Sequence, residues 1–190
     1  MRKLIYGINL TLDGCCDHTK GIGDEELHEY YAQLLRESDT FVYGRKTFQL
    51  MVPFWPDMAK NNSGSTKAMN DFAQVFSAVE KIVVFSQSLK NVEEKNVSIV
   101  RSNLRDEILK LKAQEGKNIM TGGVDIPSQL IQLGLVDEYH FVIQPLVVGE
   151  GRRLFDHTAL QQDKLQLVGS KVFASGSVAL RYAAGPRNRE

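Results

Sequence analysis

The residues Leu4-Ile5-Tyr6-Gly7-Ile8-Asn9-Leu10 constrain the fold most, because apolar side chains fall at both odd and even positions. A strand with one solvated face alternates apolar and polar residues; one that is apolar on both faces needs cover on both. Helices above and below a sheet provide that cover. The chain continues in kind. Asp24 reads as a helix N-cap followed by Glu25 and Glu26, where the helix dipole favours negative charge. Leu27, Tyr30, Tyr31, Leu34 and Leu35 then recur at helical spacing. Thr40 to Tyr43 reads as a short strand that runs into Gly44. Residues 45–51 read as a short helix broken by Pro53, Trp55 and Pro56, which leaves Trp55 in a loop.

Lys60-Asn61-Asn62-Ser63-Gly64-Ser65 is a surface loop, too short for a domain boundary. Met69, Phe72, Phe76 and Val79 mark another helix, 81–85 and 97–100 two strands, and Leu104, Ile108 and Leu111 an amphipathic helix that stops at Gly116. Asn118 to Met120 is a strand, and the helix through Leu130, Ile131 and Leu133 closes at Gly134. Val136 to Val148 has a strand pattern, but Pro145 lacks the N–H a central ladder needs, so the strand bulges, ends or reaches an edge there. Residues 165–174 and 178–183 alternate around Ser175-Gly176-Ser177, a hairpin signal. Parallel βα units followed by antiparallel strands give one α/β domain with a mixed sheet over residues 1–185, and a polar tail over 186–190.

Composition excludes several classes of function. The chain has 23 Lys+Arg against 23 Asp+Glu in 190 residues, without the basic stripe of a nucleic-acid-binding protein or the polybasic segment of a membrane anchor. No apolar run approaches the ~20 residues of a spanning helix. Polar Asn9, Thr11 and Asp13 interrupt the N-terminal apolar stretch too soon for a signal peptide. Cys15 and Cys16 are neighbours, and a bridge between neighbours is strained; a reducing cytoplasm suits two free thiols. His18, His28, His140 and His157 show no metal-ligand spacing, and no metal is expected.

Three places can carry chemistry. At Tyr43-Gly44-Arg45-Lys46-Thr47 a strand delivers the chain to a helix start, whose free N–H groups bind anions. Arg45 and Lys46 add the charge needed to hold the 2′-phosphate that separates NADP from NAD; read blandly, they are two solvated basic residues. At Met120-Thr121-Gly122-Gly123-Val124-Asp125-Ile126-Pro127 a second strand ends on two glycines before a helix, a cradle suited to a pyrophosphate. It is neither a G-x-G-x-x-G nor a Walker loop. Ser86-Gln87-Ser88, at the end of the strand 81–85, offers hydroxyls to a ribose or forms a plain turn. The turns at 44 and 122–123 are expected to grip opposite ends of one phosphorylated coenzyme at the carboxyl end of the sheet.

On these residues the sequence resembles the dihydrofolate-reductase-like family, and more closely its branch containing the reductase domain of the riboflavin-biosynthesis deaminase-reductase. The resemblance rests on Thr11-Leu12-Asp13-Gly14, on Gly44-Arg45-Lys46-Thr47, and on Gly122-Gly123 followed by Leu133-Gly134-Leu135-Val136-Asp137-Glu138 and Gln144-Pro145-Leu146-Val147-Val148-Gly149-Glu150-Gly151, ending in Arg153-Leu154-Phe155. It covers roughly residues 2 to 183. It implies a three-layer α/β domain with a mixed, mostly parallel central sheet, helices on both faces and antiparallel C-terminal strands. It also implies NADPH as cofactor and hydride transfer to a pterin or pyrimidine-like substrate. Carried over by motif, Gly44, Arg45, Lys46 and Thr47 contact the adenosine phosphates, and Ser86 and Gln87 lie near the adenine ribose. Thr121, Gly122, Gly123, Val124, Asp125 and Ile126 line the pyrophosphate and nicotinamide side. Family members often join the paired glycines by a cis peptide. The His-x-Glu and Pro-Cys-x-x-Cys signatures of the deaminase partner do not occur.

Reduction of a ring imine needs a proton as well as a hydride. In dihydrofolate reductases an acid on the first helix grips the pterin; here Asp24, Glu25, Glu26, His28 and Glu29 stand there, and none is singled out. Asp13 is the catalytic candidate, with an Asx turn as the other reading. Asn9 and Trp55 are substrate-side candidates; a buried asparagine needs partners, in substrate or in backbone. Asp137 and Glu138 are neighbours on a strand, so they point apart and serve structure. The sequence favours an NADPH-dependent reductase of small heteroaromatic molecules. A nucleotide-binding or dimerisation module that lost catalysis is the alternative, and a homodimer through the C-terminal strands suits both.

Overall fold

The computed structural model describes residues 1–154 and 164–185. Phe155, His157 and the tail 186–190, named above, lie outside the described residues. The strands are β1 (Leu4–Thr11), β2 (Ser38–Gly44), β3 (Lys81–Phe85), β4 (Val97–Val100), β5 (Asn118–Thr121), β6 (Glu138–Gln144), β7 (Leu165–Val172) and β8 (Val178–Ala184). The helices are α1 (Glu25–Arg36), α2 (Arg45–Asn61), α3 (Lys67–Ser77), α4 (Leu104–Ala113) and α5 (Asp125–Gln132).

One eight-stranded sheet runs in the order β4-β3-β2-β5-β1-β6-β8-β7. The pairings from β4 to β6 are parallel, and those of β6 with β8 and β8 with β7 are antiparallel. β6 stops at Gln144, where Pro145 ends the ladder. The hairpin turns at Gly176, whose φ of 85° suits a residue without Cβ.

Alternation along the strands sorts the core into two layers. Leu4, Tyr6, Ile8 and Leu10 of β1 face Ile108 and Leu111 of α4 and Leu130 and Ile131 of α5. Phe41 and Tyr43 of β2 face the opposite way, onto Leu34 and Leu35 of α1, Phe48 and Val52 of α2, and Phe72 and Phe76 of α3. Right-handed crossovers produce this partition: connections moving toward β4 pass over one face and those returning toward β6 pass over the other.

Two expectations are corrected. α2 runs through Pro53 and Pro56 instead of ending at residue 51. Each proline removes an internal hydrogen bond, but Phe48, Val52 and Met58 are buried along the same helix and hold its axis against α3 and the sheet. Trp55 is therefore a helical residue, with its ring 4.5 Å from Phe72, 4.9 Å from Phe54 and 6.0 Å from His28. Asn9 is exposed, the one such position in β1. It lies on the α1 side of the strand, two residues beyond Gly7, where Tyr31 packs against the backbone; the helical cover ends before Asn9.

Among the described residues no helix is long and apolar enough to cross a membrane.

Candidate functional site

β2 and β5 are neighbours, paired in parallel up to Val42 and Thr121. Past that pair the chain leaves β2 for α2 on one face and leaves β5 for α5 on the other. The strand order reverses between them, and ligands of open α/β sheets bind in such a crevice, outside the carboxyl ends of the strands. The expectation that the two turns stand at opposite ends of a ligand is corrected here. Because β5 returns between β2 and β1, the turns lie side by side.

Their contact is close. A Cβ built on Gly123 would stand 3.3 Å from Thr47 Cβ and collide with Thr47 Oγ1, and one on Gly44 would stand 3.1 Å from Ile126 Cγ1. Only residues without side chains let the start of α2 and the loop before α5 approach this far. Gly123 also adopts a φ of 84°, which turns the chain into α5, and no peptide bond among the described residues is cis, Gly122–Gly123 included. Buried Thr121 donates its Oγ1 proton to Val42 O at 2.8 Å, stapling the two strand ends. Tyr6 Oη donates to Gly123 O at 2.8 Å. Burial pushes the Tyr6 hydroxyl well above its ordinary pKa, so it stays a donor.

Capping distinguishes these two helices from the rest. Asp24, Thr66 and Asn103 cap α1, α3 and α4 by accepting from Leu27 N–H, Met69 N–H and Arg105 N–H. Gly44 and Val124, at the heads of α2 and α5, provide no side-chain cap. Two sets of helix N-terminal N–H groups therefore open at one place, an arrangement that favours an anion.

The charged residues around it divide by element. Arg45 and Lys46 are exposed at the head of α2, with Arg45 Nη1 donating to Gln49 Oε1 at 3.0 Å. Asp125, first residue of α5, is ion-paired with Arg152. Ser86 and Gln87 follow Phe85, which pairs with Gly44, so they lie beside the first turn. Ser86 Oγ accepts from the N–H groups of Ser88 and Leu89, and Gln87 Nε2 donates to Arg101 O. Val124 and Ile126 are half-buried on the second turn. Trp55 stands eight residues beyond Thr47, about 12 Å along the axis of α2.

Asp13 is bound by its own loop. Its carboxylate accepts from Thr11 Oγ1 at 2.6 Å, Gly149 N–H at 2.9 Å and Val148 N–H at 3.3 Å, with Arg153 Nη2 at 3.6 Å. The bond from Thr11, then that from Gly149, lowers its pKa to about 2. At neutral pH it is a carboxylate that ties residues 11–15 to 148–153, without a proton to give.

Asp137 and Glu138 diverge. Asp137 Oδ2 accepts from Leu4 N–H and Lys112 Nζ. Glu138, buried, accepts from His140 Nε2 at 2.7 Å and Arg181 Nε at 2.6 Å, while Tyr30 Oη meets His140 Nδ1 at 2.6 Å. At the amino ends of the strands an open cavity of about 830 Å³ is lined by Met1, Arg2, Arg36, Glu37, Gly116 and Lys117. Its arginines are engaged, Arg2 with Asp39 and Arg36 with Asp71.

Sequence reasoning missed Tyr6 and Arg152. Tyr6 carried no signal beyond its place in a buried strand. Arg152 falls between Gly151 and Arg153, the residues on either side of it that carry the resemblance, and was itself passed over.

The fold is an α/β fold of the dihydrofolate reductase type. Dihydrofolate reductase from Enterococcus faecalis, determined in complex with NADP(H) and RAB-propyl, superimposes with a TM-score of 0.62 over 97% of both chains at 13% identity. A pyrimidine reductase-like protein from Corynebacterium diphtheriae gives 0.69 over 98% of this chain and 93% of that one at 17% identity. The family is shown by sequence: the RibD C-terminal domain matches residues 2–179, and the chain belongs to that family. It is also 32% identical over 189 residues, 95% of this chain and 94% of the other, to YyaP of Bacillus subtilis strain 168, an uncharacterized protein.

Proposed function

We propose that the protein is an NADPH-dependent reductase that transfers a hydride to a pterin or aminopyrimidine-like small molecule. The observation that carries this reading is the convergence of two uncapped helix N-termini at Gly44 and Val124, set side by side because Gly123 packs directly on Thr47. A phosphate at the mouth of the two turns, outside the strand ends, would meet both sets of N–H donors. Gly44, Arg45, Lys46 and Thr47 would hold the adenosine phosphates, with Ser86 and Gln87 beside them. The backbone N–H groups of Gly122, Gly123, Val124, Asp125 and Ile126 would hold the pyrophosphate and nicotinamide side, with Thr121 fixing the strand end behind them. When bound, NADPH supplies the hydride. The family and the pyrimidine reductase-like and NADP(H)-bound structural relatives support the same choice.

The chain's own groups do the positioning. Tyr6 fixes the Gly123 carbonyl, and Thr121 locks β5 to β2, so the N–H donors are oriented before any ligand arrives. Asn9, exposed on the α1 side of β1, offers an amide donor and acceptor to the reduced ring. Asp13 shapes the loop over that end of the sheet, its carboxylate engaged by Thr11, Val148 and Gly149. The exposed edge strand β7, with Leu167, Val168 and Val172 open to solvent, supports pairing of two copies.

Quenching of Trp55 emission by added NADPH, compared with NADH, tests the coenzyme. NADPH oxidation, followed optically against dihydrofolate, biopterin and aminouracil compounds, tests the reaction. Tight NADPH binding without turnover on any of them favours a non-catalytic nucleotide-binding role.

A further inference from the structure

The block Gly149-Glu150-Gly151-Arg152-Arg153 has no part in the reading above, and the structure shows what it builds. Residues 145–154 run alongside residues 12–17. Leu12 N–H donates to Leu146 O and Cys16 N–H to Arg152 O, both at 2.8 Å, and Arg153 bridges Cys15. Glu150 pairs with Lys20 at 2.9 Å. Gly149 and Gly151 take φ of 71° and 99°, and a Cβ on Gly151 would stand 2.8 Å from Cys15 Sγ. Only glycine lets the segment lie this flat on the β1 loop.

With its backbone fixed in this way, Arg152 extends its side chain to the head of α5, where Nη2 pairs with Asp125 Oδ1. Its charge also reaches Tyr6, whose hydroxyl holds the Gly123 carbonyl. Arg152 therefore stands at the rim of the Gly122–Gly123 turn. The pair is exposed on both sides, 43% for Arg152 and 57% for Asp125, and exposed pairs contribute little to stability. A carboxylate on the first residue of α5 suits the helix dipole, but on its own it opposes an incoming phosphate. A guanidinium carries five N–H donors in a rigid fork, matched to phosphate oxygens and more than one carboxylate oxygen can use.

We propose that Arg152 is a ligand of the coenzyme pyrophosphate, brought to the Gly122–Gly123 turn by the Gly149–Gly151 loop and aimed there by Asp125. The inference rests on the NADPH reading and adds a residue to it. Asp125 becomes a positioning residue: it aims the guanidinium, and the phosphate meets Arg152.

The test is calorimetric titration of the full chain with NADPH and with adenosine 2′-monophosphate, which keeps the 2′-phosphate and carries neither phosphate of the pyrophosphate. Arg152→Ala is expected to weaken NADPH about tenfold or more and to leave the 2′-monophosphate unchanged. Arg152→Lys, which keeps the charge and loses the fork, should recover part of the loss. Asp125→Asn, which removes the opposing charge and keeps an acceptor, should bind NADPH at least as well as the native chain. NADPH binding unaltered by Arg152→Ala overturns the inference and leaves the NADPH reading standing. Equal weakening of both ligands also overturns it, because the loss would then not be specific to the pyrophosphate. A native chain that binds no NADPH overturns the reading itself.

Discussion

Gly123 and Thr47 belong to different strand–helix units, and they touch with no room for a methyl group between them. Gly123→Ala meets both that collision and a φ of 84°, a combination expected to cost about 1–3 kcal/mol. Gly122→Ala is the control: a Cβ there would stand 3.6 Å from Gly7 O, an ordinary contact. Thermal unfolding and NADPH titration of the two variants should separate, with Gly123→Ala weakened in both and Gly122→Ala near native in stability.

Arg45 and Lys46 stand exposed at the head of α2, where the 2′-phosphate of NADPH would lie. The double substitution to alanine should remove most of the preference for NADPH over NADH and leave thermal stability nearly unchanged, since exposed charges contribute little to it. Coenzyme affinities measured in low and high salt check this, with the preference shrinking in salt for the native chain only.

Asp13 clamps two loops together. As a clamp, its conversion to alanine should raise amide exchange at Val148 and Gly149, whose N–H groups it accepts. If it also delivers the proton, the same substitution should abolish turnover as well. Its pKa is held near 2, so its stabilising effect is complete above the ordinary aspartate range. That effect should disappear as pH falls toward 2.

The Glu138–His140 pair should govern acid stability. Burial alone would raise Glu138, but hydrogen bonds from Arg181 and His140 outweigh it and bring the pKa to about 2. Burial lowers His140, against the pull of Glu138. Both folded values lie below the unfolded ones, so both groups favour the folded state at neutral pH and lose that effect as pH drops. His140 acts first, below its ordinary value of about 6.5, and Glu138 follows between about 4.3 and 2. Melting temperature followed across this range should fall in two stages, and Glu138→Gln should flatten the lower one.

The edge strand β7 leaves Val172 71% and Leu167 53% exposed. If two copies pair there, Val172→Lys with Leu167→Lys should convert the sedimenting species to monomer without altering the far-ultraviolet spectrum. A native chain that already sediments as a monomer removes the dimer from the proposal.

Much of the architecture is legible in local pattern. The two-faced apolar strand at 4–10, the cap at Asp24, the breaks at Gly116 and Gly134, and the stop at Pro145 each act over a few residues, so the chain displays them directly. Pro53 and Pro56 mislead for the opposite reason. Their local preference is to end a helix, and the burial of Phe48, Val52 and Met58 along α2, together with the packing of Trp55 on Phe72, overrides it. Asn9 misleads as well, since a strand pattern does not say where the helices covering it stop.

The amino-acid order alone determined the alternation of strands and helices, the two glycine turns and the charge beside the first of them, because these depend on neighbours in sequence. Only the tertiary structure decided that β5 enters between β2 and β1. That placement sets Gly123 against Thr47, while the pairing of β1 with β6 commits Asp13 to its loop and carries Arg152 toward the head of α5. Strand order and loop contacts of this kind join residues tens of positions apart, and their energy comes from long-range pairing and packing that no short window of sequence contains.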